Sequence, residues 1–184
     1  MRPRTILALA LLLVAQKAAA EPRIERFQVA LQQRDLLISL ELVDGISADL
    51  LDRIQAGLPT GILYRIRLYR DHQRWLDDRL DSVDLETVAM YNAVTGEYLV
   101  NTKLEGKLLE SRLVRDTEEL VAALTRLEGI HVLTLDEEIP HEWRLLLRTR
   151  AEVGTRTVLA FIPQRIASPW TRSRKFRVPA PTEP

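Results

Sequence analysis

Residues 60–70 read TGILYRIRLYR, and this stretch decides the fold class. Two sets of side chains alternate along it. The first set is apolar and consists of Ile62, Tyr64, Ile66 and Leu68. The second set is amphipathic and basic and consists of Leu63, Arg65, Arg67 and Tyr69. Because successive side chains of a β-strand point to opposite faces, the pattern predicts a long strand with one buried face and one basic face.

Residues 143–153 repeat this pattern. The set predicted to face the core comprises Trp143, Leu145, Leu147, Thr149, Ala151 and Val153. The opposite set comprises Arg144, Leu146, Arg148, Arg150 and Glu152. If the two strands are neighbours, their arginines form a positive band that can bind an anionic ligand, a lipid headgroup or an acidic protein surface. The alternative is that the arginines form ordinary cross-strand ion pairs, for which Glu86, Glu97, Glu110 and Glu152 are available.

Shorter alternating runs flank these two stretches. Residues 23–32 and 36–42 predict a hairpin, residues 83–91 and 97–103 predict another around Gly96, and residues 107–114 extend the second one. Residues 71–80 fit either a polar hairpin tip or a helical turn.

Two short helices are predicted between the strands, one from the N-cap Ser47 to Gly57 and one from the N-cap Asp116 to Gly129. Helices do not follow most strands, so the fold class is mainly β and antiparallel. We expect a two-sheet β-sandwich, with a barrel as the alternative.

The first twenty residues predict a cleaved signal peptide. Arg2 and Arg4 precede an apolar stretch at 5–16, and Ala18-Ala19-Ala20 fits the small-residue cleavage pattern. Such a stretch is short of the roughly 20 residues that span a membrane, although an uncleaved anchor is the alternative. We therefore expect a periplasmic protein, or else a secreted or signal-anchored one, without a transmembrane segment after cleavage. The predicted organisation is a single β-rich domain at 21–178 and a flexible proline-rich tail at 179–184.

Composition limits the possible functions further. The 184 residues are 46% hydrophobic and 28% charged, which is typical of a folded globular protein. Without the predicted signal peptide, 23 basic and 26 acidic residues remain, a balance that argues against binding to nucleic acid. The chain has no cysteine, which excludes disulfides, thiolate-bound metals and a cysteine nucleophile.

The string from Gly57 to Arg70, GLPTGILYRIRLYR, resembles the hallmark of an exported bacterial family known only as a domain of unknown function. Members of that family combine a signal peptide, an early hairpin, a helix exit of the form I-x-x-G-[LI]-P and a long Y-x-I-x-L strand. Further matches are the strand and turn at 91–98, the helix at 120–127 and Ser168-Pro169-Trp170. The resemblance covers residues 24–178 and implies no catalytic residue. It does imply a partner class, since genes of the family are often found beside those of a membrane sensor kinase of the nitrogen-regulation type.

The histidines give little support for catalysis. Asp136, Glu137, Glu138, His141 and Glu142 could supply metal ligands, but Pro140 breaks the helix that would align them, so no metal site and no cofactor are predicted. Asp71-His72 could act as a general base, yet no serine lies in a recognised nucleophile motif.

The main hypothesis is therefore a non-enzymatic binding or adaptor domain. Its candidate site residues are Arg65, Arg67, Tyr69, Trp75, Arg144, Arg148 and Arg150, with Trp75 as a possible exposed anchor or, alternatively, a cap over one end of the sandwich. Its predicted partner is an envelope protein such as a sensor-kinase ectodomain. The second hypothesis is a carrier of a small amphipathic ligand held between the sheets, and the third is a hydrolase built around His72 or His141.

Overall fold

A computed structural model describes residues 21–72, 76–158 and 162–179, with the backbone alone at 155–158 and 162–164. The expectations for residues 1–20, Trp75 and residues 180–184 fall outside this part of the chain. The elements, in chain order, are β1 Arg23–Gln32, β2 Asp35–Val43, α1 Ala48–Gln55, β3 Thr60–Arg70, β4 Asp78–Asn92, β5 Glu97–Leu104, β6 Lys107–Val114, α2 Thr117–Thr125, β7 Arg126–Thr134, β8 Leu145–Val158, β9 Ile162–Ala167 and β10 Thr171–Arg172.

The strands form two antiparallel sheets. The smaller sheet has the order β1-β2-β7, and the larger has the order β10-β8-β3-β4-β5-β6, with β9 also paired to β8. Buried side chains from both sheets and both helices form one hydrophobic cluster between the layers. The prediction of a mainly β, two-sheet sandwich with two helices is confirmed, and the alternative of a closed barrel does not apply to the described residues.

The connection from β2 to β3 is fixed by the residues that carried the sequence motif. The Ser47 side chain accepts a hydrogen bond from the Leu50 N–H and so caps α1 as predicted. Gly57 has a φ of +78°, and the N–H groups of Gly57 and Leu58 close the helix by donating to the carbonyls of Ile54 and Arg53. This exit delivers the chain directly into β3.

β3 lies at the centre of the larger sheet, and its buried face carries the link to α2. Tyr64 is fully buried and donates a hydrogen bond of 2.8 Å to the Leu124 carbonyl, to which the Thr87 hydroxyl also donates at 3.1 Å. Burial raises the pKa of Tyr64. Two strands therefore hold one carbonyl at the end of α2, where no following helical N–H group is available to donate to it.

The prediction that α2 ends at Gly129 is wrong. The N-terminus is as expected, since the Asp116 side chain accepts from the Glu119 N–H at 2.8 Å. The helix ends at Thr125, however, and β7 begins at once with Arg126, so Leu127 lies in a strand. Gly129 has a φ of +62° and lies where the pairing between β2 and β7 changes register. This bulge removes the two-residue periodicity by which a strand is recognised.

The start of β4 and the chain after β9 complete the description of the larger sheet. β4 begins at Asp78, so the last three residues of the undecided stretch 71–80 are strand. The chain after β9 stays beside β8. The Ser168 N–H donates to the Ala151 carbonyl, the Ala151 N–H donates to the Ser168 hydroxyl oxygen, and β10 pairs with Thr149 and Arg148. Because the register changes by one residue between these contacts, Pro169 and Trp170 bulge out of the sheet.

Candidate functional site

The outer face of β3 and β8 carries four arginines in two rows, here called the arginine face (Arg65, Arg67, Arg148 and Arg150). β3 and β8 are hydrogen-bonded neighbours, with Arg65 directly opposite Arg150 and Arg67 directly opposite Arg148. Opposed residues of an antiparallel pair share a face, and their Cβ atoms lie about 5 Å apart. The sequence predicted the two basic faces, and the register brings them together. Like charges in this arrangement destabilise the sheet unless other groups compensate.

Glu152 supplies most of the compensation in the first row. One of its oxygens is 2.8 Å from Arg65 Nε and 3.0 Å from an Arg150 nitrogen, and the other is 3.3 Å from Arg165. The side chain is only 10% exposed. Burial acts to raise the pKa of Glu152, but the hydrogen bond from Arg65 and the charges of the arginines outweigh it and hold the pKa below its usual value. Of the four glutamates proposed for cross-strand pairs, this is the one that meets the arginine face; Glu97 pairs with Arg115 instead.

Aromatic rings and one further carboxylate compensate the second row. The Arg148 guanidinium lies 4.4 Å from the centre of the Tyr69 ring and forms an ion pair with Asp77. The Trp170 ring lies 4.4 Å from the Arg67 guanidinium and 5.5 Å from that of Arg150. Cation–π contacts of this kind stabilise a guanidinium without neutralising its charge. The arginine face is thus ordered while it remains positive.

Arg67 is the member of the arginine face best placed to bind an external anion. Within the described chain, no carboxylate lies within ion-pair distance of Arg67, or of Arg79 on the neighbouring strand β4. Both line a recess of about 230 Å³ together with Arg65, Ser82, Asp84 and Glu105. Three guanidiniums and one hydroxyl can donate there to an oxyanion, while two carboxylates, Asp84 at 3.8 Å from Arg65 and Glu105, offset part of the charge. The recess is of a size and polarity suited to a carboxylate or a similar anionic group.

Arg144 occupies a different position from the one predicted. It precedes β8, which begins at Leu145, and one of its nitrogens is 2.8 Å from an oxygen of Asp71. The Lys175 ammonium, 2.9 Å away, donates a hydrogen bond to Asp71 and contributes most to lowering the pKa of that carboxyl, against the opposing effect of burial. Arg144 therefore belongs to a buried-carboxylate cluster at the end of the face. It is not one of the opposed pairs.

Sequence reasoning missed three members of the site: Asp77, Asp84 and Trp170. Asp77 lies beside the charged start of β4, whose lack of an apolar pattern concealed its place in the sheet. Asp84 lies within the predicted strand at 83–91, but its proximity to Arg65 depends on the pairing of β4 with β3. Trp170 belongs to the family match Ser168-Pro169-Trp170, but its contact with the arginines depends on the bulge beside β8. A tryptophan within a basic segment was the available signal for that contact.

The histidines lie elsewhere. His72 Nε2 is 2.8 Å from Asp78, in a recess of about 400 Å³ whose described lining has no serine or threonine. His141 is exposed, with Glu142 3.7 Å away. His131 is 3.2 Å from the Thr134 hydroxyl, but the same ring nitrogen is 3.3 Å from Asp35, whereas a catalytic triad places the carboxylate on the other nitrogen. In the described ranges no group of three or more His, Asp or Glu residues is close enough to hold a metal ion.

A third recess lies near the start of β8, where Phe176 pairs with Leu145. It has a volume of about 520 Å³ and lies between β1 and the segment after β10. Phe27, Val29 and Phe176 give it apolar walls, and Arg26, Arg174 and Lys175 add positive charge. It is the feature closest to what a carrier of an amphipathic anion requires.

Comparison with known proteins places this architecture in a family. The model of a domain of unknown function, DUF4390, matches residues 19–159. The chain belongs to the DUF4390 family. The matched range runs from β1 to the end of β8 and so includes both rows of the arginine face, whereas Trp170 follows it. No curated protein and no solved structure matches the chain. No helix in the described part of this family member is long and apolar enough to cross a membrane.

Proposed function

We propose that this DUF4390 protein is a non-enzymatic binding domain of the bacterial envelope, and that its arginine face docks an acidic segment of another envelope protein. The observation that carries the proposal is the pair of opposed arginine rows, Arg65 with Arg150 and Arg67 with Arg148. A sheet selected for stability alone places opposite charges across its strands. Here the opposed side chains carry like charges, contact aromatic rings and lie beside an open recess. This arrangement fits a surface whose charge is neutralised by an acidic partner.

The resemblance stated above suggests the partner class. A membrane sensor kinase has an ectodomain in the same compartment as an exported protein, and a short acidic segment of it can place carboxylates beside Arg67 and Arg79. The expected contact is charge-assisted and sensitive to salt. Charged groups at an interface of this kind affect the rate and specificity of association more than they affect raw affinity.

Two substitutions with opposite expected effects test the proposal. Binding of a fluorescein-labelled polyglutamate peptide is measured by anisotropy at low salt. Arg67→Glu inserts an acid into the face and should weaken binding by at least about tenfold. Glu152→Gln releases three guanidiniums and should strengthen it. Arg53→Glu, at an exposed position of α1, has the same effect on net charge and should change binding by less than about threefold.

Folding must be followed in parallel, because an arginine that only stabilises the sheet would give loss of both properties. Arg67→Glu removes a cation–π contact but relieves a like-charge pair, so its free energy of unfolding should stay within about 1 kcal/mol of wild type. Equal losses of stability and binding would refute the proposal. In intact cells, a photo-crosslinking residue at position 82 should trap a sensor-kinase ectodomain, identified by mass spectrometry, and a crosslink to lipid alone would contradict the choice of a protein partner.

A second candidate, the carrier, is favoured by the recess of Phe27, Val29 and Phe176. Displacement of a fluorescent fatty acid provides the test: stoichiometric binding that is lost in Phe176→Glu, with the fold retained, would support a carrier. Such binding does not involve the arginine face, so the two functions are separable.

A further inference from the structure

β6 forms an open edge of the larger sheet. It is the last strand in the order β10-β8-β3-β4-β5-β6, so its outward backbone N–H and C=O groups have no strand beside them in the described structure. Its eight residues, KLLESRLV, contain no proline and are almost all exposed. Proteins usually protect such an edge with proline, inward charges, bulges or a covering segment. β6 has one bulge, near its start, where Leu109 is the extra residue between the pairs Lys103–Leu108 and Thr102–Glu110.

The side chains of β6 suggest that another strand covers it. Leu108, Leu109 and Leu113 are 58%, 50% and 61% exposed, and they form the largest group of exposed leucines on one element of the described chain. By comparison, β7 is interrupted by two register changes, and β1, which has one register change as β6 does, carries no large exposed hydrophobic side chain. β6 is therefore the edge best suited to pairing.

The sequence of β6 is complementary to itself in one register. In a two-fold antiparallel pair, hydrogen-bonded and non-hydrogen-bonded pairs alternate, so the axis must pass between one residue and its own copy. An axis at Ser111 places Glu110 opposite Arg112 of the second copy, and Leu109 opposite Leu113 of the second copy, each twice. An axis one residue earlier opposes two copies of Glu110, and an axis one residue later opposes two copies of Arg112.

The faces of β6 agree with this register. Glu110 and Arg112 lie opposite Thr102 and Val100 and so share the inner face, whereas Leu113 lies opposite Leu99 on the outer face. Arg112 uses one nitrogen to donate to the Ala123 carbonyl at 3.3 Å, which fixes the side chain and leaves its other N–H groups available. Glu110 has no ion pair within the described residues.

From this edge we infer that the protein forms a homodimer through antiparallel pairing of β6 with β6 of a second copy, centred on Ser111. The backbone bonds supply the association, the leucines cover one another, and the two Glu110–Arg112 ion pairs select the register. A single strand pair buries a small area, so the dimer is expected to have a micromolar dissociation constant.

Charge exchange across the axis tests the register directly. Sedimentation velocity of the purified protein over a range of concentrations gives the dissociation constant. Glu110→Arg and Arg112→Glu should each weaken dimerisation by at least about tenfold, because each opposes like charges twice. The double variant Glu110→Arg/Arg112→Glu should restore it, and an equimolar mixture of the two single variants should form heterodimers.

The mixture also separates pairing from a folding defect, since a misfolded variant cannot be rescued by another. Leu113→Glu should abolish the dimer, whereas Val94→Glu, at the exposed turn between β4 and β5, should leave it unchanged. Wild-type protein that is monomeric at about 100 µM, or single variants that dimerise as wild type does, would overturn the inference. Failure of rescue in both the double variant and the mixture would do the same.

Discussion

Glu152 is the residue whose removal tests the electrostatics of the arginine face most directly. The substitution Glu152→Gln keeps the shape of the side chain and removes its charge. Two of the three arginines that contact it, Arg65 and Arg150, are about 30% exposed, and the third, Arg165, is 65% exposed. A partly buried, charge-assisted hydrogen bond contributes about 1 kcal/mol, and an exposed ion pair contributes close to nothing. We therefore expect the free energy of unfolding to fall by about 2 kcal/mol at neutral pH.

The pH dependence of this loss has a definite sign. The folded protein holds the pKa of Glu152 below its ordinary value, so the carboxylate stabilises the fold above the unfolded pKa of about 4.3. This contribution is lost as the pH falls through the folded pKa. The difference between wild type and Glu152→Gln should consequently be full at pH 6 and above and shrink in acid.

Urea denaturation followed by tryptophan fluorescence, repeated from neutral to acidic pH, measures both quantities. Glu86→Gln is the matched control, because Glu86 lies on β4 and has no ion pair within the described chain; its cost should be under about 0.5 kcal/mol. Equal costs for the two substitutions, or a difference that does not change with pH, would refute the electrostatic reasoning.

Three further predictions concern the framework of the site. Gly61→Ala should destabilise the fold by about 3 kcal/mol or more, because an added Cβ would lie 1.8 Å from the Thr87 carbonyl oxygen. Urea denaturation measures this loss of stability. A loss near zero would show that β3 and β4 can separate at Gly61. Tyr64→Phe should cost about 1 kcal/mol through loss of the bond to Leu124. Because burial raises the pKa of Tyr64, the unfolded chain ionises first, so wild type should lose stability above about pH 10 and the variant should lose less. Trp170→Ala should lower the free energy of unfolding by about 1 kcal/mol. Unfolding in urea is followed by circular dichroism, because the substitution removes a fluorophore. An unchanged denaturation midpoint would mean that the Trp170 ring does not stabilise the arginines.

Local patterns in the sequence were sufficient for most of the framework. Alternation along residues 60–70 and 143–153 identified β3 and β8 and placed Arg65, Arg67, Arg148 and Arg150 on one face, although Arg144 precedes β8 and Leu146, predicted opposite the core, is buried. Ser47, Gly57 and Asp116 marked helix ends because caps depend on a few adjacent residues.

Features that depend on partners distant in the sequence were not predictable in the same way. β7 was mistaken for the end of α2 because its bulges break the alternation and because a glycine with positive φ serves equally as a helix stop. The first residues of β4 have no apolar pattern, and pairing with β3 makes them a strand. The opposition of Arg65 with Arg150 depends on a register between segments more than 80 residues apart, and no single strand encodes it.

The two margins of the larger sheet are unequal, and this inequality limits how far copies of the protein can assemble. At the β8 edge, the strands paired with β8 are short and interrupted. β9 contains Pro163, Pro169 lies between β9 and β10, and β10 has two residues. Proline and very short strands are poor templates for adding another chain. Pairing of β6 with β6 of a second copy therefore occupies that edge in both copies. The proposed association stops at two copies instead of extending into a fibre.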